Sequence, residues 1–282
     1  MASLEYSLFR ARFVKSQQTT LFESDIAPKD AFLQALASRP SAELRKDNVW
    51  HIGNLRYFND HAGYFAVGRT TKSTIEKFNE RTGNFVEEEQ EASPYTHCVF
   101  DAQIGIVGIA RKQSLAGSTK GIAGRIEQLL AQTTVVAENG FFVEISPIPD
   151  PEGFIRTLRS AYRVYRFTAT FRGPNPFDAD EHFQKPLSVY LASANGEKGK
   201  AQINGEDLNR DVLEAVTRST AATGNDASAR VAKTNTQKAI TINLKGDPVK
   251  RRYDEDEHVP ETVLTDLTNL YRRVRHDERK DS

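Results

Sequence analysis

Apolar residues along this chain recur at two spacings, and the two spacings alternate. From Leu4 to Val14, Tyr6 and Leu8 and then Phe9, Ala11 and Phe13 fall at every second residue, the period of a strand. From Ala27 to Ala37, Phe32, Leu33 and Leu36 fall at helical spacing, with Pro28 near the start, where its missing N–H leaves no bond unmade. A chain that changes period in this way packs helices against sheet. Val49–Phe58 and Tyr64–Thr70 read as strands joined by Asn59-Asp60-His61-Ala62-Gly63, whose Asn, Asp and Gly suit a turn that visits positive φ. Tyr95–Phe100 and Gln103–Arg111 read as a second hairpin around Asp101-Ala102. The polar stretch between them, from Ser73 to Glu91, reads as a solvated edge with a turn at Arg81-Thr82-Gly83-Asn84.

Ser118 or Thr119 is placed to cap a helix through Ile122, Ile126, Leu129 and Leu130, and Phe141–Ile145 returns as a strand. Pro147, Pro149 and Pro151 then stop regular structure. Beyond them the spacing predicts a helix over Glu152–Ala161, a strand over Val164–Arg172, a Gly173-Pro174-Asn175-Pro176 turn and a helix over Asp178–Ala192. A polar loop over Gly196–Gly205 follows, then a helix over Glu206–Ala222, strands at Ala229–Ala232 and Ala239–Leu244, and a last helix opened by Pro260. The expected fold class is α+β, with a mixed, largely antiparallel sheet, hairpins in the N-terminal half and packed helices. The prolines mark a boundary between a β-rich α+β subdomain over residues 1–148 and an α/β subdomain with a C-terminal helix over 149–282, unless the two form one domain.

The 282 residues carry 38 Lys and Arg against 38 Asp and Glu, so no global field draws the chain to a polyanion, and binding of that kind needs a local patch. The one cysteine, Cys98, rules out an intramolecular disulfide and points to a reducing, cytoplasmic location. The seven residues of Ile104–Ala110 are the longest aliphatic run, far short of a membrane span.

The local patch is Gly153–Phe177, which holds Arg156, Arg159, Arg163, Arg166 and Arg172 and no Asp or Glu. If the helix runs through the first three, they share one face, being three and four residues apart. On the strand, Arg166 and Arg172 fall on the same side as Thr168 and Thr170, opposite Tyr165, Phe167 and Phe171. Guanidinium groups in a row suit phosphates. The competing reading pairs these arginines with Glu87–Glu91 or with Glu152, Asp178 and Asp180. Lys250-Arg251-Arg252, followed at once by Asp254-Glu255-Asp256-Glu257, reads as a surface loop or a protein interface. Gly117–Gly121 lacks the spacing of a phosphate-binding loop and reads as a capping loop. His97 and Cys98, adjacent on an alternating strand, point to opposite faces and so form no nucleophile pair.

Two segments, the acidic lead into a strand pair at Glu87–Arg111 and the aromatic strand ending in Pro-Asn-Pro at Tyr165–Pro176, resemble those of uncharacterised bacterial proteins found among phage-defence genes. The resemblance implies no particular activity and no site residue. Taken together, the expectation is a non-enzymatic protein that binds the backbone of DNA or RNA through the five arginines, as a component of a bacterial anti-phage defence system. It needs no cofactor, metal or membrane. One alternative is an enzyme acting on a nucleotide or phosphodiester, its metal or acid/base residues drawn from Glu87–Glu91, His97 and Asp101. Another is an assembly subunit with a protein partner or a homo-oligomer, docking through residues 250–257.

Overall fold

The structure, a computed structural model, describes residues 3–15, 26–172, 183–196, 198–254 and 258–276. The chain opens with β1 (Ser3–Lys15) and α1 (Pro28–Ala37), then runs through β2 (Ser41–Arg45), β3 (Asn48–Tyr57), β4 (Ala62–Asn79), β5 (Asn84–Ala92), β6 (Tyr95–Asp101) and β7 (Ile106–Ala110). After α2 (Thr119–Ala131), α3 (Thr134–Glu138) and β8 (Phe141–Pro147) come α4 (Glu152–Ser160), β9 (Arg163–Arg172), α5 (Gln184–Ser193) and β10 (Lys198–Asn204). The last elements are α6 (Arg210–Ala222), β11 (Ala227–Ala232), β12 (Ile240–Asn243), β13 (Lys250–Asp254) and α7 (Pro260–Arg275). This is the α+β class the alternating periods call for. Among the described residues every strand pairing is antiparallel, in a nine-stranded sheet ordered β13-β1-β7-β6-β4-β3-β2, with β5 on β4 and β8 on β1, and a four-stranded sheet ordered β10-β9-β11-β12.

β1 organises the interior because both of its faces are buried. Phe9, Ala11 and Phe13 join α1 and α2 in one core, where Phe32, Ile122, Ile126 and Leu130 cover the first sheet. Tyr6 and Leu8 join a second core on the opposite face, formed with Phe154 and Leu158 of α4, Leu213 and Ala221 of α6, Phe167 and Ala169 of β9, and Val263 and Leu267 of α7. This second core draws on residues from both sides of Pro147–Pro151, and β13 returns to pair with β1. The turn out of α6 comes so close to β1 and β8 that only glycine fits: Gly224 has φ +64°, and a Cβ there would meet the Ser146 hydroxyl at 2.6 Å.

Several elements differ from the periodicity. The helix predicted to carry Arg156, Arg159 and Arg163 together ends at Ser160, and Arg163 begins β9, so only the first two are helical. The loop expected at Gly196–Gly205 holds strand β10, whose polar side chains hide an ordinary ladder with β9. The charged segment at 250–254 is a strand for the same reason. The helix predicted from Asp178 begins at Gln184, and the Gly173–Pro176 turn, with residues 177–182, lies outside the described residues. No helix among the described residues is long and apolar enough to cross a membrane.

Candidate nucleic-acid interface

β9 is the central strand on which this surface depends, and a bulge fixes which of its side chains face outward. Arg166 pairs with Arg230 and Val164 with Val231, so Tyr165 is an extra residue on β9. The bulge turns both Val164 and Phe167 inward, where each is at most 3% exposed. Arg166, Thr168, Thr170 and Arg172 then share the opposite face, and Arg163, on the far side of the bulge, joins them. The neighbouring strands extend this face by register. Lys198, Lys200, Gln202 and Asn204 of β10 stand opposite Arg172, Thr170, Thr168 and Arg166. On the other side Ser228 and Arg230 of β11 stand opposite Thr168 and Arg166, and Asn243 and Thr241 of β12 complete the rows.

The registered rows therefore hold Arg166, Arg172, Lys198, Lys200 and Arg230 among hydroxyl and amide side chains, with no carboxylate between them. Among the described residues two carboxylates stand at the margins. Asp226 precedes β11 beside Thr170. Asp207 accepts the Val164 N–H at 3.0 Å, and that bond first, then Arg210 and Arg163, hold its carboxyl below the usual range. Arg166 and Arg230 are both exposed and directly opposite one another, an arrangement that costs a few tenths of a kcal/mol unless an anion lies between them. Arg166 Nε also donates to Asn204 at 3.0 Å, which holds the guanidinium over the sheet. Arg163 lies over the Tyr162 ring, 5.4 Å from its centroid.

The other predicted arginines are placed differently. Arg159 leaves the face altogether: its guanidinium donates at 2.5 Å to Glu214, a buried carboxylate of α6 that also holds Arg218 at 3.0 Å. Arg172, although on the right side of β9, reaches the carboxylate of Glu144 on β8. Glu144 also receives Arg12 at 3.4 Å, and Arg12 donates to Asn225 at 3.4 Å. Burial presses the Arg12 guanidinium down to about 10 against the pull of Glu144, and the nearby Arg10 and Arg172 press in the same direction. Arg156 is exposed on α4, outside the second sheet. Two of the five are thus joined to internal carboxylates; of the carboxylates the sequence offered, Glu152 binds Arg218 and Glu88 binds Lys77, and Asp178 and Asp180 lie outside the described residues. Lys198, Lys200 and Arg230 escape a reading of the sequence because only strand register places them beside Arg166.

The remaining candidates make contacts within the fold. Ser118 Oγ accepts the Gly121 N–H at 3.2 Å, a helix cap. Lys250 and Arg252 each reach Glu5 at 3.1 Å, and residues 255–257 lie outside the described residues. Asp101 accepts the backbone N–H groups of Gln103 and Ile104. His97 Nδ1 is 2.8 Å from the Tyr64 hydroxyl, and its ring lies 5.0 Å from that of His258, which is bonded to Tyr6 at 2.6 Å. Burial raises both phenols, Tyr64 to about 12. Among the described residues no group of three or more His, Cys, Asp and Glu could hold a metal ion. A cleft of about 700 Å³ between α1, β2, α2 and α3 is lined by neutral side chains and Glu138.

Fold and surface together define an α+β protein that presents one cationic face of a small antiparallel sheet. No protein-family model matches the chain, and no curated protein matches it in sequence.

Proposed function

We propose that this is a non-enzymatic nucleic-acid-binding protein that holds the backbone of DNA or RNA on the outer face of β10-β9-β11-β12. The observation that carries this reading is the opposition of Arg166 and Arg230 in a row system that also contains Lys198 and Lys200 and no carboxylate. Residues opposite one another on antiparallel strands are about 5 Å apart at Cα, so two guanidinium forks there converge on one phosphate. The hydroxyls and amides of Thr170, Ser228, Gln202 and Asn243 add donors that position a backbone without reading sequence. Arg163 and the Tyr162 ring, 47% exposed, extend the surface with a plane on which a base can stack. A place in a bacterial anti-phage defence system accords with the resemblance carried by Glu87–Arg111 and Tyr165–Pro176.

Fluorescence anisotropy with labelled single- and double-stranded DNA and RNA across a salt series tests the reading. Affinity should fall steeply with salt, and Arg166→Ala/Arg230→Ala should flatten the log–log slope by about 0.7 to 0.9 for each phosphate no longer neutralised. Arg159→Ala, whose guanidinium is held by Glu214, should leave that slope unchanged. A double variant that binds with the wild-type slope removes the assignment.

A further inference from the structure

Beyond Thr71, β4 leaves the first sheet and continues with β5 as a ribbon of two strands, in register from Thr71↔Ala92 to Asn79↔Asn84. At about 3.4 Å per residue the eight residues from Lys72 to Asn79 carry it roughly 25 Å outward. The turn is closed by the Asn79 side chain, which accepts the N–H groups of Arg81 and Thr82, and by Gly83 at φ +67°. Alternation sorts its side chains cleanly. One face carries Lys72 and Glu91, Thr74 and Glu89, Glu76 and Glu87, and finally Phe78 and Phe85 at the tip. Four glutamates against one lysine make this face acidic by three charges, since Lys72 is already joined to Glu89 at 3.4 Å. The other face balances itself, with Lys77 bound to Glu88 at 2.5 Å.

Two features of the acidic face oppose a free existence in water. Glu76 and Glu87 are like charges placed directly opposite one another. Phe78 and Phe85 are 53% and 81% exposed, with ring centroids 5.1 Å apart, an apolar tip on an open edge. The like charges are relieved by a cationic surface, whose guanidinium groups also stack on aromatic rings, and the molecule carries one: the sheet face where Arg166 and Arg230 oppose each other beside Lys198 and Lys200.

We propose that the acidic ribbon of one copy docks on the cationic sheet face of a second copy. Ribbon and face belong to different sheets, so the contact is heterologous, and each added copy offers a new ribbon and a new face. Assembly therefore proceeds head to tail. The proposal shares its cationic face with the nucleic-acid reading, and the ribbon and a phosphate backbone compete for it.

Sedimentation velocity over a range of protein concentrations tests this. In low salt the wild-type mass should rise with concentration and return to one chain in high salt. Glu76→Lys/Glu87→Lys, which spoils the ribbon, and Arg166→Ala/Arg230→Ala, which spoils the face, should each be monomeric. Mixed in equal amounts they should form a dimer of twice the chain mass, since one supplies an intact face and the other an intact ribbon. The tip variant Phe78→Ser/Phe85→Ser, far from both cores, should weaken assembly without changing the melting temperature. A wild-type chain that stays monomeric in low salt, or a mixture that stays monomeric, overturns the proposal. The ribbon variant should still bind nucleic acid with the wild-type salt slope, and a wild-type chain that binds nucleic acid but stays monomeric condemns the ribbon contact alone. Loss of binding with assembly intact condemns the nucleic-acid reading alone.

Discussion

Replacing Glu144 by Gln should cost the protein about 3–4 kcal/mol, because one carboxylate is shared by two guanidinium groups. Arg12, whose side chain is 3% exposed, has Glu144 as its ionic partner and the Asn225 amide oxygen as its neutral one. Breaking a buried pair from one side leaves an uncompensated charge and typically costs about 3–5 kcal/mol. Glu144 is 20% exposed, which places the Arg12 contribution at the lower end, about 3 kcal/mol. The Arg172 half of the arrangement is in more solvent, at 32% exposure, and contributes at most about 1 kcal/mol after screening. For a chain of this size the sum corresponds to a fall in melting temperature of roughly 10 °C. The isosteric amide keeps the volume, so a thermal melt of Glu144→Gln reads the charge alone. Arg12→Met/Glu144→Leu, which removes both charges and fills the space, should recover most of the loss. Stability of Glu144→Gln within about 0.5 kcal/mol of wild type refutes the argument, since that is the range of an ordinary surface change. So does a double variant that loses the full sum of its singles.

Arg172→Ala and Arg166→Ala lie six residues apart on one strand and should separate cleanly: the first lowers the melting temperature and leaves the salt slope of nucleic-acid binding alone, and the second does the reverse. Burial acts to raise the Glu5 carboxyl, but hydrogen bonds from Lys250 and Arg252 override it and hold the group below its ordinary value. The stabilisation this gives β13 on β1 is present above the unfolded value of about 4.3 and is lost as pH falls through the lower folded value, so Glu5→Gln should flatten the acid limb of a stability–pH curve. Cys98 is 0% exposed, and burial pushes its thiol well up, so a thiol reagent should label the native protein only as fast as the core opens. Labelling at the rate of a free thiol in native buffer contradicts that burial.

What the sequence discloses about this fold is what local pattern controls. The period-two run of Leu4–Val14 is β1, the helical spacing after Pro28 is α1, and the sidedness of Arg166, Thr168, Thr170 and Arg172 is the sidedness found on β9. Elements whose side chains are polar on both faces escape such a reading. β5 is almost entirely exposed and β10 has only Gly199, Ala201 and Ile203 on its inner row, so each is held by backbone pairing to a partner the sequence does not announce. Arg10 and Arg12 show the opposite failure. Their alternation with Phe9, Ala11 and Phe13 marks them as outward, and they do leave the first core, but the turn out of α6 at Gly224 and Asn225 covers them. The candidate interface is half legible for the same reason: Arg166 lies in an acid-free stretch, whereas Arg230 meets it only through the register of β11.

The internal arginines and the exposed ones depend on each other. Arg172 and Arg12 grip Glu144 from the second and first sheets, and Arg159 and Arg218 grip Glu214 between α4 and α6. These bonds tie β9 to β8 and α4 to α6, while on the outer face Thr168 is buried and Arg166 and Arg230 stay exposed, like charges in register. The same division governs the ribbon, whose Glu76 and Glu87 stand outside both cores. A chain with equal numbers of acidic and basic residues has in this way separated them into a cationic sheet face and an acidic arm. Each includes a directly opposed like-charge pair that folding alone does not require, and burying neither pair leaves both available to a partner of opposite charge.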